Sequence, residues 1–104
     1  MSLSHEQLQD IAKQLHEAEN NRTMIPRLTA TYPEMTVEDS YAVQGQWVQR
    51  KIDDGEKLVG RKIGLTSKVM QEATGITEPD YGAIFEDQIF ENGSVIEHAQ
   101  FSNV

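Results

Sequence analysis

From Leu8 to Ala18, and again from Val37 to Ile52, the apolar residues recur at helical spacing, and from Leu58 onward they do not. That change of period, marked by Gly55, constrains the fold more than any other feature. A stretch patterned for one face of a helix does not sit stably as a strand, and the reverse holds too. Ser4 followed by Gln7 has capping-box spacing, and it opens a helix with Leu8, Ile11, Leu15 and Ala18 on one face. Asn20-Asn21 is the expected end of that helix. Pro26 and Pro33 punctuate an irregular connection. Thr36 then caps a second helix, with Glu38 and Asp39 in its first turn, where the positive end of the helix favours carboxylates. Its expected apolar face runs through Val37, Tyr41, Val48 and Ile52, with Val43 and Trp47 alongside, and Gly55 stops it.

Beyond Gly55, the run Leu58-Val59-Gly60-Arg61-Lys62-Ile63-Gly64-Leu65-Thr66 predicts a strand interrupted by two glycines. Thr66 or Ser67 caps a short helix through Val69 and Met70, closed by Gly75. Pro79-Asp80-Tyr81-Gly82 predicts a tight loop, followed by short strands at Ala83–Phe85 and Gln88–Phe90. Asn92-Gly93 predicts a hairpin turn, with Val95-Ile96 returning the strand. Helices over 1–57 and short strands over 58–104 make an α+β chain. A few short strands are too little for a self-sufficient sheet. Phe90, Val95, Ile96 and Phe101 are therefore expected to expose apolar surface or to recruit another copy. The last residues, Phe101-Ser102-Asn103-Val104, carry no closing signal, as in a truncated chain.

Charge excludes one class of partner. The chain of 104 residues has 9 Lys and Arg against 17 Asp and Glu, a net charge of -8, so a nucleic-acid backbone would be repelled. No apolar run approaches the length of a membrane span, and the first residues lack the pattern of a signal peptide. There is no cysteine, hence no disulfide, thiolate metal site or thiol nucleophile. The expectation is a cytoplasmic protein without nucleic-acid or membrane partners.

Two residues carry candidate chemistry. Lys62 lies in the middle of a glycine-rich strand among Val59, Ile63 and Leu65. A lysine buried there would need an anion and could be tuned for catalysis, whereas on an edge strand it would simply stand in water. Gly60 and Gly64 would admit a ligand or another backbone. Asp80, constrained between Pro79 and Tyr81, could exchange protons or only satisfy turn amides. The histidines do not suggest a metal site. His5 and His16 would lie about 16 Å apart on a continuous helix, and His98 is isolated. Glu86, Asp87 and Glu91 lack the ligand spacing of a calcium loop and are expected to form a solvated face. No phosphate loop, dinucleotide fingerprint or nucleophile elbow is present.

Three segments together resemble a known family. Tyr32-Pro33-Glu34-Met35-Thr36-Val37-Glu38-Asp39-Ser40-Tyr41-Ala42-Val43-Gln44 is similar to the second-helix entry of the 2-oxo-4-pentenoate hydratases and 4-oxalocrotonate decarboxylases, of the fumarylacetoacetate hydrolase superfamily. Gly60-Arg61-Lys62-Ile63-Gly64-Leu65-Thr66-Ser67-Lys68 resembles their glycine-lysine-glycine-leucine-threonine signature. Glu78-Pro79-Asp80-Tyr81-Gly82 resembles their substrate loop, and is particularly similar to the branch hydrating 2-oxohept-4-ene-1,7-dioate. The resemblance implies a longer parent enzyme in which a later Glu-x-Glu strand binds magnesium or manganese, with no metal ligands expected in this chain. It implies hydration of a 2-hydroxy-2,4-dienoate, the cation acting as Lewis acid on the 2-oxygen. Lys62 would stabilise the dienolate or shuttle a proton, and Asp80 would relay one. Leu65 and Thr66 would offer backbone N–H groups to the substrate carboxylate, and Tyr81 would shape the wall. It further implies a homo-oligomer and a possible complex of hydratase with decarboxylase. A decarboxylase, or a non-catalytic assembly domain, are the alternatives it leaves.

Overall fold

The computed structural model of the chain describes residues 1–102; the last two residues of the C-terminal stretch discussed above lie outside them. Helix α1 spans His5–Asn21, the single turn α2 spans Leu28–Thr31, and α3 spans Val37–Asp53. Strand β1 (Leu58–Gly64), helix α4 (Lys68–Thr74) and strand β2 (Asp80–Phe85) follow. Short 3-10 turns occupy Glu86–Gln88 and His98–Gln100. The α+β class read from the sequence is the class observed. The chain divides into two compact units, Met1–Gly55 with the segment from Glu91 onward, and Glu56–Phe90.

The first unit is a helical hairpin. Ser4 Oγ accepts from Gln7 N–H at 3.1 Å while Ser4 N–H donates to Gln7 Oε1 at 2.9 Å, which closes the expected capping box. The chain leaves α1 through Arg22 in the left-handed region (φ 55°), just after the asparagine pair. Leu3, Leu8, Ile11, Ala12 and Val43 form the buried core, with Leu15, Leu28, Tyr32, Met35, Ala42 and Trp47 packed on its margin. Fully burying an aliphatic side chain of this size contributes about 1.5–3 kcal/mol.

The inward face of α3 differs from the expected one. Asp39, Val43 and Lys51 are buried, whereas Val37 and Ile52 are exposed. The reason is polar: this face is held partly by charge that hydrophobic periodicity does not register. Lys51 Nζ donates to Glu19 Oε1 at 2.7 Å and lies 5.9 Å from the centre of the Trp47 ring, within cation–π range. His16 Nε2–H donates to Asp54 Oδ2 at 2.6 Å, tying α1 to the end of α3. Arg22 Nη1 donates to the Ala99 carbonyl at 3.1 Å and anchors the C-terminal segment to this unit.

The second unit pairs β1 and β2 antiparallel, joined through α4. Ser67 caps α4 by accepting from Met70 N–H at 3.2 Å, and Gly75 ends it at φ 74°, as the spacing predicts. Three expectations are corrected here. Asp80, Tyr81 and Gly82 belong to β2 rather than to a loop: the strand begins directly after Pro79, and β1 supplies their partners. No strand forms at Gln88–Phe90, because the chain turns into a 3-10 helix at Glu86. Asn92-Gly93 is a turn, with Ser94 N–H donating to the Glu91 carbonyl at 3.0 Å, but among the described residues no strand returns at Val95-Ile96. Phe90, Val95, Ile96 and Phe101 are all exposed, as expected.

Candidate active site

The register of the β1–β2 ladder decides which side chains share a face. Lys62 pairs with Gly82, Gly64 with Asp80, and Gly60 with Ile84. Directly paired residues of an antiparallel ladder project to the same side, and the side alternates along each strand. One face therefore carries Lys62 and Asp80 as diagonal neighbours, with Gly64 and Gly82 between them and Gly60 and Ile84 beyond Lys62. Diagonal neighbours lie about 7–8 Å apart, a spacing that lets an ammonium and a carboxylate flank a small planar molecule. The opposite face carries Arg61, Ile63, Tyr81 and Ala83.

This placement brings together two of the expected site residues and separates a third. Lys62 and Asp80 are both exposed; Lys62 is an exposed strand residue, not a buried one. Its Nζ donates to the carbonyl of Ile63. Tyr81 pairs with Ile63, so it cannot wall the face of Lys62 and Asp80 within this sheet. The loop expectation for Pro79–Gly82 concealed this, because alternation applies only once the segment is a strand.

Leu65 and Thr66 follow directly on Gly64, where β1 ends. Leu65 is half-buried and has φ 52°, the left-handed region that costs a branched side chain roughly 1–2 kcal/mol. Gln71 Nε2 donates to the Leu65 carbonyl at 2.8 Å and helps to hold that conformation. Thr66 is exposed beside it. A strained, hydrogen-bonded corner at the end of the lysine strand is the kind of geometry that concentrates at functional sites.

Sequence reasoning noted the glycines of β1 but missed Gly82. The β-forming residues Tyr81, Ile84 and Phe85 were the available signal for extending β2 back over it. Among the described residues of Glu56–Phe90, no three His, Asp or Glu side chains converge on a common point.

No family model matches the chain. It is 50% identical over 91 residues, 88% of its length, to 2-oxo-hept-4-ene-1,7-dioate hydratase of Escherichia coli, of which it covers 34%. It is 42% identical over 94 residues, 90% of its length, to 2-keto-4-pentenoate hydratase of Paraburkholderia xenovorans, of which it covers 35%. The fold superposes on 4-oxalocrotonate decarboxylase from Pseudomonas putida G7, complexed with magnesium and adipate, with TM-score 0.77 and 37% identity, over 83% of this chain and 33% of that one. The chain thus spans about a third of the length of the relatives it matches. Over that third, it belongs to the family of 2-oxo-4-pentenoate hydratases and 4-oxalocrotonate decarboxylases, with the fumarylacetoacetate hydrolase-like fold.

Proposed function

We propose that the protein is a hydro-lyase that adds water to 2-hydroxy-2,4-dienoates, or equivalently to 2-oxo-4-enoates, in the breakdown of aromatic compounds. The observation that carries this reading is the shared face of Lys62 and Asp80 over a floor of glycines, within a segment half identical to a named hydratase. The dienol first takes a proton at its far carbon and loses one from its hydroxyl, giving a conjugated 2-oxo acid. Water then adds across the remaining C=C bond. Both steps pass negative charge through the 2-oxygen, and the Lys62 ammonium stabilises it there. Asp80 relays the proton between water and carbon. Leu65 and Thr66 present backbone N–H groups to the carboxylate of the substrate. Tyr81, on the reverse of the sheet, contributes as a wall only to substrate held on that side.

A divalent cation, magnesium or manganese, belongs to this reading, since the related decarboxylase structures hold magnesium and calcium. The roles of Lys62 and Asp80 stand apart from it. We further read the enzyme as a cytoplasmic homo-oligomer able to associate with a decarboxylase. No helix among the described residues is long and apolar enough to cross a membrane.

The structural match to a decarboxylase favours a second reading, in which the same face stabilises the dienolate left by loss of carbon dioxide. An assay of the protein as encoded by its gene separates the two. With magnesium, the hydratase consumes 2-hydroxypenta-2,4-dienoate and yields 4-hydroxy-2-oxopentanoate, whereas the decarboxylase releases carbon dioxide from 4-oxalocrotonate. Turnover of neither compound would sink both readings.

A further inference from the structure

The glycines of β1 are not alike. Neither Gly60 nor Gly64 has a backbone angle in the left-handed region, which is confined among the glycines to Gly55, Gly75 and Gly93. Conformational freedom therefore explains neither of them. Among the described residues, a Cβ built on Gly60 meets nothing within 4 Å, but one built on Gly64 would lie 2.3 Å from Asp80 Oδ1 and 3.4 Å from Asp80 Cγ. The first distance is far inside van der Waals contact, so any side chain at position 64 would displace the carboxylate. Asp80 is the ladder partner of Gly64, and its carboxylate occupies the volume that a side chain of β1 would otherwise take.

We propose that Gly64 is a positioning residue for Asp80: the missing side chain lets the carboxylate lie across β1, on the face that carries Lys62. The inference rests on the reading of that face as the reacting one. Gly64 touches no reacting atom. It acts through Asp80, by leaving open the volume beside β1 that the carboxylate occupies. Misplacing a reacting group by about 1 Å can cost on the order of 10²-fold in rate, so the space above a single glycine is enough to matter.

The test compares Gly64→Ala, Asp80→Ala and the double variant in the protein as its gene encodes it, assayed on 2-hydroxypenta-2,4-dienoate with magnesium. Gly64→Ala is expected to lower kcat about 10- to 100-fold with little change in KM. In the Asp80→Ala background the collision is gone, so adding Gly64→Ala should change kcat less than about twofold. Three results would overturn the proposal. If Gly64→Ala keeps near-native turnover while Asp80→Ala loses it, Gly64 does not position Asp80, although the reading of the face survives. If the double variant falls well below Asp80→Ala alone, position 64 acts through the backbone. If Asp80→Ala is fully active, Asp80 has no role to be positioned for, and the reading of the face fails with it. Should Gly64→Ala not fold, Asp80→Glu is read in its place. It carries the carboxylate one methylene beyond Gly64, and kcat should fall at unchanged KM; native turnover by that variant would overturn the proposal.

Discussion

Asp39 is fully buried and receives four donors: Thr36 N–H at 2.9 Å, Ser2 N–H and Ser2 Oγ at 3.2 Å each, and Leu3 N–H at 3.4 Å. Burial alone would raise its carboxyl, but the hydrogen bonds from Thr36, Ser2 and Leu3 outweigh it and hold the group well below the usual carboxylate range. A depressed carboxyl contributes stability that is complete above its unfolded value, about 3.9, and that is lost as pH falls through the folded one. Asp39→Asn should therefore lower the melting temperature at neutral pH by several degrees and flatten the acid side of the stability profile. Thermal melts from about pH 7 down to about pH 2 check this; an unchanged acid limb would count against it. In the proposed function the residue-scale counterpart is Lys62. Lys62→Met should lower turnover by about 10²–10³-fold without unfolding the protein, while Lys68→Met, on the exposed side of α4, should leave it nearly unchanged. Turnover and melting temperature measured side by side decide it.

At the scale of elements, the helical hairpin holds nearly all of the closely packed apolar residues. Ile11 has no exposed surface and Val69 is 74% exposed. Ile11→Ala should cost about 2–5 kcal/mol, and Val69→Ala under about 0.5 kcal/mol, read as shifts of the urea midpoint. Both helices, both capping residues and the stops at Gly55 and Gly75 were legible in the sequence, because caps and period are local signals. The inward face of α3 was not. It turns on Asp39 and Lys51, whose partners Ser2 and Glu19 are remote in sequence, and hydrophobic periodicity skips charged positions. The burial of His16 and its bond to Asp54 were invisible for the same reason. Strand β2 was cut short because Pro79-Asp80-Tyr81-Gly82 has the composition of a turn, whereas its conformation is set by pairing with β1. The candidate site was consequently half legible: Lys62 and Asp80 stood out as residues, but their common face, and the exclusion of Tyr81 from it, follow only from the register.

Taken as a whole, the molecule leaves much apolar surface open. Val59, Ile63, Val69, Met70, Tyr81, Phe90, Val95, Ile96 and Phe101 are each at least 41% exposed, and a two-stranded sheet has two unpaired edges. Sedimentation over a range of concentrations should show self-association, and a monomer throughout would contradict the expected homo-oligomer. The sole tryptophan sharpens what else can be observed. Trp47 lies on the margin of the helical core, with its indole N–H buried and, among the described residues, without a hydrogen-bond partner. Its emission should be blue-shifted and should redden when water enters between α1 and α3. Because the unit Glu56–Phe90 contains no tryptophan, fluorescence reports the opening of the helices alone, whereas far-ultraviolet dichroism sums both units. If the sheet melts first, the two optical signals will part during denaturation, with the dichroism beginning to fall before the colour of Trp47 changes.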